Sequence, residues 1–297
     1  MKFAKPLLSL MKGVAGKFHY LSILKKDPRS VISQLSSLRE RQATLAAANS
    51  KTHKWLIEQI AESPAPTPVK TPLVSIVMPT WNRRDIIGRA IDSVLQQSYR
   101  NWQLIIVDDG STDGTADSLE KYLADERISY LSQHHRSASS ARNVGLARAQ
   151  GEIIAYIDTD VVWFPGYLAN VVAAFAEDEK LDAVYTAQLV EDSEKRFSYV
   201  RCEEFNYDQL LQGNYIDLNV FSHRRRLYES EGGFDEELDC LIDWDLILRY
   251  AKIGQVRRLL ILGGIYTYGR SDQITKTRSR ERNRRLIEAK HRHSHSR

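Results

Sequence analysis

From residue 73 to residue 189, short apolar runs alternate with segments whose apolar positions recur every three or four residues. The runs at 73–79, 104–107, 128–131, 153–157 and 183–189 are too short for helices. They are also too continuously apolar for strands with one wet face, which predicts buried strands of a parallel sheet. Between them lie helical patterns at 85–97, 115–123, 139–149 and 167–176. The first sets Ile86, Ile87, Ala90, Ile91, Val94 and Leu95 on one face. Alternation of this kind predicts an α/β fold, a mostly parallel, doubly wound sheet with helices on both faces. Past about residue 190 the pattern loosens. It returns as a helix at 244–253 and an apolar run at 259–265.

The flanks differ from this core. Residues 1–62 are predicted to be helical in pieces (6–24, 28–48 and 53–61), and 63–72 is a proline-rich linker. The main domain then spans 73–275 and a basic tail 276–297. The first piece interleaves lysines with Phe3, Leu7, Leu8, Leu10, Met11, Val14 and Phe18. It suits either a membrane-surface helix or one packed on its own domain or on a partner. Residues 1–72 hold twelve Lys/Arg against four Asp/Glu, and residues 276–297 nine against two. The ends therefore carry +8 and +7, and the stretch between them −11. That split points to an anionic membrane surface as partner of the ends, or to ends that fold back on the acidic core or clasp a second subunit. The arginine-rich tail, low in apolar residues, is expected to fray, and its His291, His293 and His295 to be solvated. Two cysteines, Cys202 and Cys240, make no disulfide framework and favour a reducing cytoplasm. No apolar run approaches the roughly 18 residues of a membrane span. Residues 1–18 are read as retained, because lysines interrupt the apolar part and no small-residue cleavage site follows.

Two of the apolar runs climb into paired carboxylates, Asp108-Asp109 and Asp158-Thr159-Asp160. Ligands of open α/β sheets bind beyond the carboxyl ends of the strands. Two acidic clusters there repel each other unless a cation or a donor-rich ligand sits between them, and a nucleotide carrying a divalent metal meets both needs. Strand geometry also sets Asp158 and Asp160, two residues apart, toward one site.

Six segments in order carry a resemblance: Val74-Ser75-Ile76-Val77-Met78-Pro79-Thr80-Trp81-Asn82-Arg83, Asp108-Asp109-Gly110-Ser111, Ala141-Arg142-Asn143-Val144-Gly145, Asp158-Thr159-Asp160, Gly232-Gly233-Phe234-Asp235-Glu236 and Asp243-Trp244-Asp245-Leu246. Together they resemble the family 2 inverting glycosyltransferases over about residues 73–265. The resemblance implies a Rossmann-like A-type glycosyltransferase fold with a nucleotide-binding half and an acceptor-binding half. It places Pro79, Trp81, Asn82, Asp109, Arg136, Arg142 and Asp158 around the nucleotide-sugar, with Trp81 beside the base and Asp109 accepting from a pyrimidine N3–H. Asp160, with Asp158, is implied as ligand to Mn²⁺ or Mg²⁺, for which hard oxygens are suited.

The same resemblance gives Asp243 the role of base toward the acceptor hydroxyl. Asp245, its rival, reads also as a carboxylate favoured at a helix N-terminus. Gly233 and His223 fall on the acceptor side, within a wall that includes residues 216–219. The chain departs from the family pattern in two places. Ile242 stands where an acid often precedes the base, and the 266–270 region has no histidine to serve the metal.

The activity expected is transfer of a sugar from a nucleotide-diphosphate donor, a UDP-sugar, to a saccharide or lipid-linked acceptor in surface-glycan synthesis. The enzyme would be cytoplasmic or peripheral on the inner face of the membrane. No tryptophan follows an arginine, so the Gln-X-X-Arg-Trp element of processive synthases is missing. Val74–Arg83 has no glycine, which counts against a sugar-nucleotide synthase loop. The remaining alternative is a nucleotide-sugar-binding interaction module without transfer activity. Nucleic acid is not expected as a partner, since the basic segments have little aromatic interleaving.

Overall fold

Four of the apolar runs become the parallel strands β1 (Val74–Thr80), β2 (Trp102–Asp108), β3 (Ile128–Ser132) and β4 (Ile153–Tyr156), in the order β3-β2-β1-β4. The computed structural model describes residues 70–192, 197–268 and 280–292, together with Pro66. All belong to the larger of two compact units, residues 53–297. The helices expected within 1–62 and most of the linker lie outside the described residues.

Alternation along each strand supplies both faces of the sheet. Ile76, Met78, Leu104 and Ile106 pack with α1 (Ile87–Leu95), with Leu119 of the short α2 (Thr115–Leu119), and across the sheet edge with α4 (Tyr167–Glu177). Val77, Ile105 and Val107 face the other way, against α3 (Ala138–Arg148). Helix α3 lies close on the sheet because Gly145 is there: a Cβ at that position would stand 2.5 Å from Val77 Cγ1.

In the other half, β5 (Val161–Trp163), β6 (Leu181–Asp192), β7 (Phe197–Arg201), β8 (Phe221–Arg224) and β9 (Gln255–Tyr268) extend the same sheet as β4-β8-β6-β9-β5, with β7 also on β6. Only β6–β9 is parallel here; β4–β8, β6–β8, β6–β7 and β5–β9 are antiparallel. The parallel expectation thus holds for the first half, and the second half is mixed. An apolar run signals burial but not direction.

Helix α4 packs on β6 and β9 on one side of this half, and α5 (Tyr207–Gln212), α6 (Arg225–Glu231) and α7 (Ile242–Ile253) gather in another core. These three share that core with Tyr156, Phe221 and Trp244. A further helix, α8 (Arg280–Arg292), corrects the frayed tail expected from composition. Its Ile287 and Asn283 are fully buried and His291 nearly so, all against the segment around α7. Acidic partners in the domain order this segment despite its lack of apolar residues.

Candidate active site

Strand order reverses beside β1, whose neighbours are β2 on one side and β4 on the other, and the crevice at such a reversal is where α/β sheets bind ligands. At the end of β1, Pro79 is half-buried, Trp81 is 46% exposed, and Asn82 turns the chain at φ +52°. Asn82 is held from both sides. Its N–H donates to Ser111 Oγ at 2.8 Å, and its Oδ1 accepts from Thr112 N at 2.8 Å. Asp108 is a turn-capping carboxylate, taking Ser111 N–H at 2.8 Å and the Tyr130 hydroxyl at 2.9 Å.

Asp109 is the surprise of this corner. It is 3% exposed, and three donors already converge on it. Gln133 Nε2 (2.6 Å) and Arg136 N (2.9 Å) reach Oδ1, and His135 Nδ1 lies 2.9 Å from Oδ2. Instead of standing open to a base, the carboxylate fixes the 133–136 loop. That loop lays the His135 ring on Trp81, with centroids 4.4 Å apart and planes 18° from parallel. Beside it an open cleft of about 390 Å³ is lined by Gly110, Ser111, Ser132, Gln133, His134 and His135. No sequence signal marks Gln133 or His135, which are ordinary polar residues until the fold brings them to Asp109. Arg136 itself extends outward, two-thirds exposed, with its guanidinium 3.9 Å from Glu236.

Beyond β4, Asp158 is held on three sides. Arg142 Nη2 meets its Oδ1 at 2.5 Å, while Asn219 accepts its backbone N–H at 2.5 Å and donates to Oδ2 at 3.3 Å. Arg142 is 7% exposed and its Nε has no hydrogen-bond partner among the described residues. Asn219 belongs to the stretch assigned to the acceptor wall, and the fold turns it onto Asp158. It also places its carbonyl on Trp163 Nε1 at 2.7 Å and its amide on Asp217, 2.9 Å away. Asp160, half-buried, has its carboxyl pushed up to about 7, first by burial and then by the charges of Asp158 and Asp217. Among the described residues no group of three or more His, Cys, Asp or Glu is arranged to hold a metal.

Asp243 sits in the first turn of α7, just after Leu241, which takes the left-handed conformation at φ +59°. Its Oδ2 accepts from Asn214 Nδ2 at 2.8 Å. Burial, then the charge of Asp217, raises its carboxyl to about 6. Asp245, two residues on, has the opposite setting. It is fully buried, 3.0 Å from Arg249 Nε, 3.5 Å from Lys290 Nζ and 3.4 Å from His291 Nε2. Burial opposes its ionisation, but the His291 contact and the two cations outweigh that and bring the carboxyl down to about 2. An acid locked in this way is a structural anion, so its acceptor-side assignment is withdrawn.

Two other acceptor-side assignments change as well. His223 is fully buried on β8, with Nε2 2.9 Å from the Tyr156 hydroxyl and Nδ1 2.8 Å from Arg224 O. Burial lowers its pKa to about 4, so it is a neutral core residue closed off from solvent. Gly233 packs on Asn143, whose Oδ1 accepts Phe234 N–H at 2.7 Å and whose Nδ2 donates to Phe234 O at 2.9 Å. The glycine therefore serves the docking of α3, and a Cβ there would strike the Asn143 amide.

The family model described as glycosyl transferase family 2 matches residues 75–231. The chain belongs to this family. It is 37% identical over 187 residues to the putative colanic acid biosynthesis glycosyl transferase WcaA of Escherichia coli K12, an alignment covering 60% of this chain and 66% of that one. It is 30% identical over 141 residues to the UDP-Glc:alpha-D-GlcNAc-diphosphoundecaprenol beta-1,3-glucosyltransferase WfgD of Escherichia coli, covering 47% and 55%. The chain spans between about a fifth and two thirds of the length of the curated relatives it matches. Among solved structures, Staphylococcus aureus TarS residues 1–349 in complex with UDP-GlcNAc superposes with a TM-score of 0.61 at 19% identity, over 72% of this chain and 64% of that one. The family 2 chain therefore has the A-type glycosyltransferase fold.

Proposed function

We propose that this family 2 chain is an inverting, non-processive glycosyltransferase that moves a sugar from a UDP-sugar to a saccharide or lipid-linked acceptor in surface-glycan synthesis. The observation that carries the reading is the contrast between Asp243 and Asp245. One is a half-buried carboxylate of raised pKa with a single orienting amide; the other is locked by Arg249, Lys290 and the His291 ring. Only the first is free to take a proton near neutral pH. As the acceptor hydroxyl attacks the anomeric carbon from the side opposite the diphosphate, its proton passes to Asp243. The bond to the leaving nucleotide diphosphate breaks with its electron pair on the phosphate oxygen.

On the donor side, Trp81 and the His135 stacked on it offer the aromatic surface for the base, and Pro79 and Asn82 form the turn beneath. Asp109 acts by holding the 133–136 loop that frames this surface. Asp158, fixed by Arg142 and Asn219, is directed at the ribose. Arg136 is exposed and swings to the phosphates, and Arg142 supplies positive charge from below. The residues also fit a divalent cation. Asp158 and Asp160 are hard oxygen donors, and the crowding that lifts Asp160 to about 7 is the deficit a cation removes. Bound there, Mn²⁺ or Mg²⁺ supplies Lewis-acid neutralisation of the departing diphosphate.

The support for the acceptor class is the relative WfgD, whose name specifies a diphosphoundecaprenol acceptor and a UDP-glucose donor. A cytoplasmic protein peripheral on the inner membrane face agrees with the basic ends and with the described residues, none of whose helices is long and apolar enough to cross a membrane. The catalytic domain begins near residue 73 and extends through α8. Asp243→Asn keeps shape and hydrogen bonding while removing the base. It should lower the transfer rate by about 10²–10⁴ and leave UDP affinity unchanged. Near wild-type transfer by that variant would refute the assignment.

A further inference from the structure

We propose that helix α8 is a positioning strap for the base, joining both elements that aim the Asp243 carboxylate at the acceptor, so that Arg284, Asn283 and His291 act in the reaction through Asp243. The inference rests on the reading of Asp243 as base. Two segments fix that carboxylate. One is the turn after α5, where Asn214 gives Oδ2 its hydrogen bond. The other is the 235–245 segment, which carries Asp243 itself.

Helix α8 holds each of them. Arg284 Nη2 donates to the carbonyl of Gln212 at 3.1 Å, two residues before Asn214. Asn283 donates to Asp239 Oδ1 and approaches Cys240 Sγ at 3.1 Å, immediately before Leu241. Lys290 reaches Asp235 and, at 3.5 Å, Asp245; His291 reaches Asp245 at 3.4 Å. Asp243 thus lies between two anchored points of its own segment, with its hydrogen-bond donor tethered from the same helix.

Backbone conformation gives a second reason for the strap. Leu241 is a bulky residue at positive φ, a state that persists only where the surroundings over-determine it. Asn283 secures the two residues before it, and Ile287, fully buried, packs in the same core as Leu241 and Trp244. Without α8, Leu241 keeps its bond to Asp245 N–H but loses the anchoring of Asp239 and Cys240 before it, and relaxation there would rotate Asp243 away from its aim. A displacement of about 1 Å at a reacting group costs on the order of 100-fold in rate. Partial loosening by one substitution should cost about tenfold.

Loosening also admits water. The groups facing Asp243 are Asp217, which raises its pKa, and Arg142, which lowers it. Nearby on its own helix stands Asp245, screened by Arg249, Lys290 and His291. None of these charges is removed by Arg284→Ala, whose side chain is half exposed and paired with Glu288. A shift in the titration of Asp243 in that variant therefore reports solvation of the carboxylate.

The test uses the full chain carrying Arg284→Ala, His291→Ala or His291→Gln. Transfer is measured from pH 5 to 8, UDP affinity by calorimetry, and folding by thermal melts. Arg284→Ala and His291→Ala should lower kcat about tenfold with UDP affinity unchanged. The acid limb of kcat, near 6 in the wild type, should move to lower pH. His291→Gln, which keeps a donor to Asp245, should recover most of the rate. If His291→Ala fails to fold, Arg284→Ala alone decides the matter. Wild-type kcat and acid limb in folded Arg284→Ala, with Asp243→Asn inactive, would overturn the strap while leaving the base in place. An active Asp243→Asn would overturn the base, and the strap with it.

Discussion

Replacing Asp245 by asparagine measures how firmly α7 is tied to the rest of the domain. The fully buried carboxylate faces Arg249, Lys290 and His291, and its pKa of about 2 lies below the ordinary 3.8. At about 1.4 kcal/mol per unit, the depression corresponds to about 2 kcal/mol of stability. The sign follows from the depressed value. The contribution is fully present above pH 3.8 and is lost as pH falls through about 2, so at pH 3 about half remains. Asparagine keeps the shape but leaves two cations, Arg249 and Lys290, facing a neutral amide. Asp245→Asn should therefore unfold about 4–8 °C below the wild type at pH 7. In urea at pH 7 its midpoint should be lower, and the gap between the two proteins should narrow by half at pH 3. Equal midpoints at pH 7, or a gap that fails to narrow on acidification, would refute the view of Asp245 as a structural anion.

Trp81→Ala removes the exposed aromatic platform and should weaken UDP binding roughly tenfold, the lower part of the range for a base–aromatic stack; unchanged affinity by calorimetry would place the base elsewhere. Asp160→Ala should abolish saturable Mn²⁺ binding in the presence of UDP, and calorimetry showing intact binding would move the cation away from this carboxylate. Gly145→Ala drives a methyl into Val77 and should cost about 1–3 kcal/mol in urea unfolding, whereas an unchanged midpoint would mean that α3 lifts from the sheet freely.

The donor half was legible because its signals are local. Runs such as Leu104-Ile105-Ile106-Val107 read as buried strands, and the carboxylates that follow them fall at the strand ends, though which of them stays open, as Asp109 does not, is set by the loop at 133–136. The acceptor half depends on pairings between distant residues. His223 looked polar enough to face a ligand, yet β8 inserts it between β4 and β6 and turns it onto Tyr156. Asp245 and Asp243 are indistinguishable by composition, and much of the difference between them comes from Lys290 and His291, far along the chain. Helix α8 itself has one fully buried aliphatic side chain and a row of ions, a pattern that reads as a solvated tail until Asp235, Asp239 and Asp245 are in place to receive it. Apolar periodicity reveals cores, whereas ordering by ion pairs leaves no periodic trace.

Helix α8 also has a place in time. It leaves the ribosome after every element it touches, and His291 follows Asp245 by 46 residues. At roughly 5–20 residues per second, α7 waits about 2–9 s for its clasp. A nascent chain that has reached residue 260 already contains Asp158, Asp160 and Asp243, but of the three described partners of Asp245 it holds Arg249 and still lacks Lys290 and His291. Synthesis delivers the carboxylates of the proposed site first and the helix proposed to align Asp243 afterwards. A nascent chain should therefore lack the proposed alignment of Asp243 until the residues of α8 have been added.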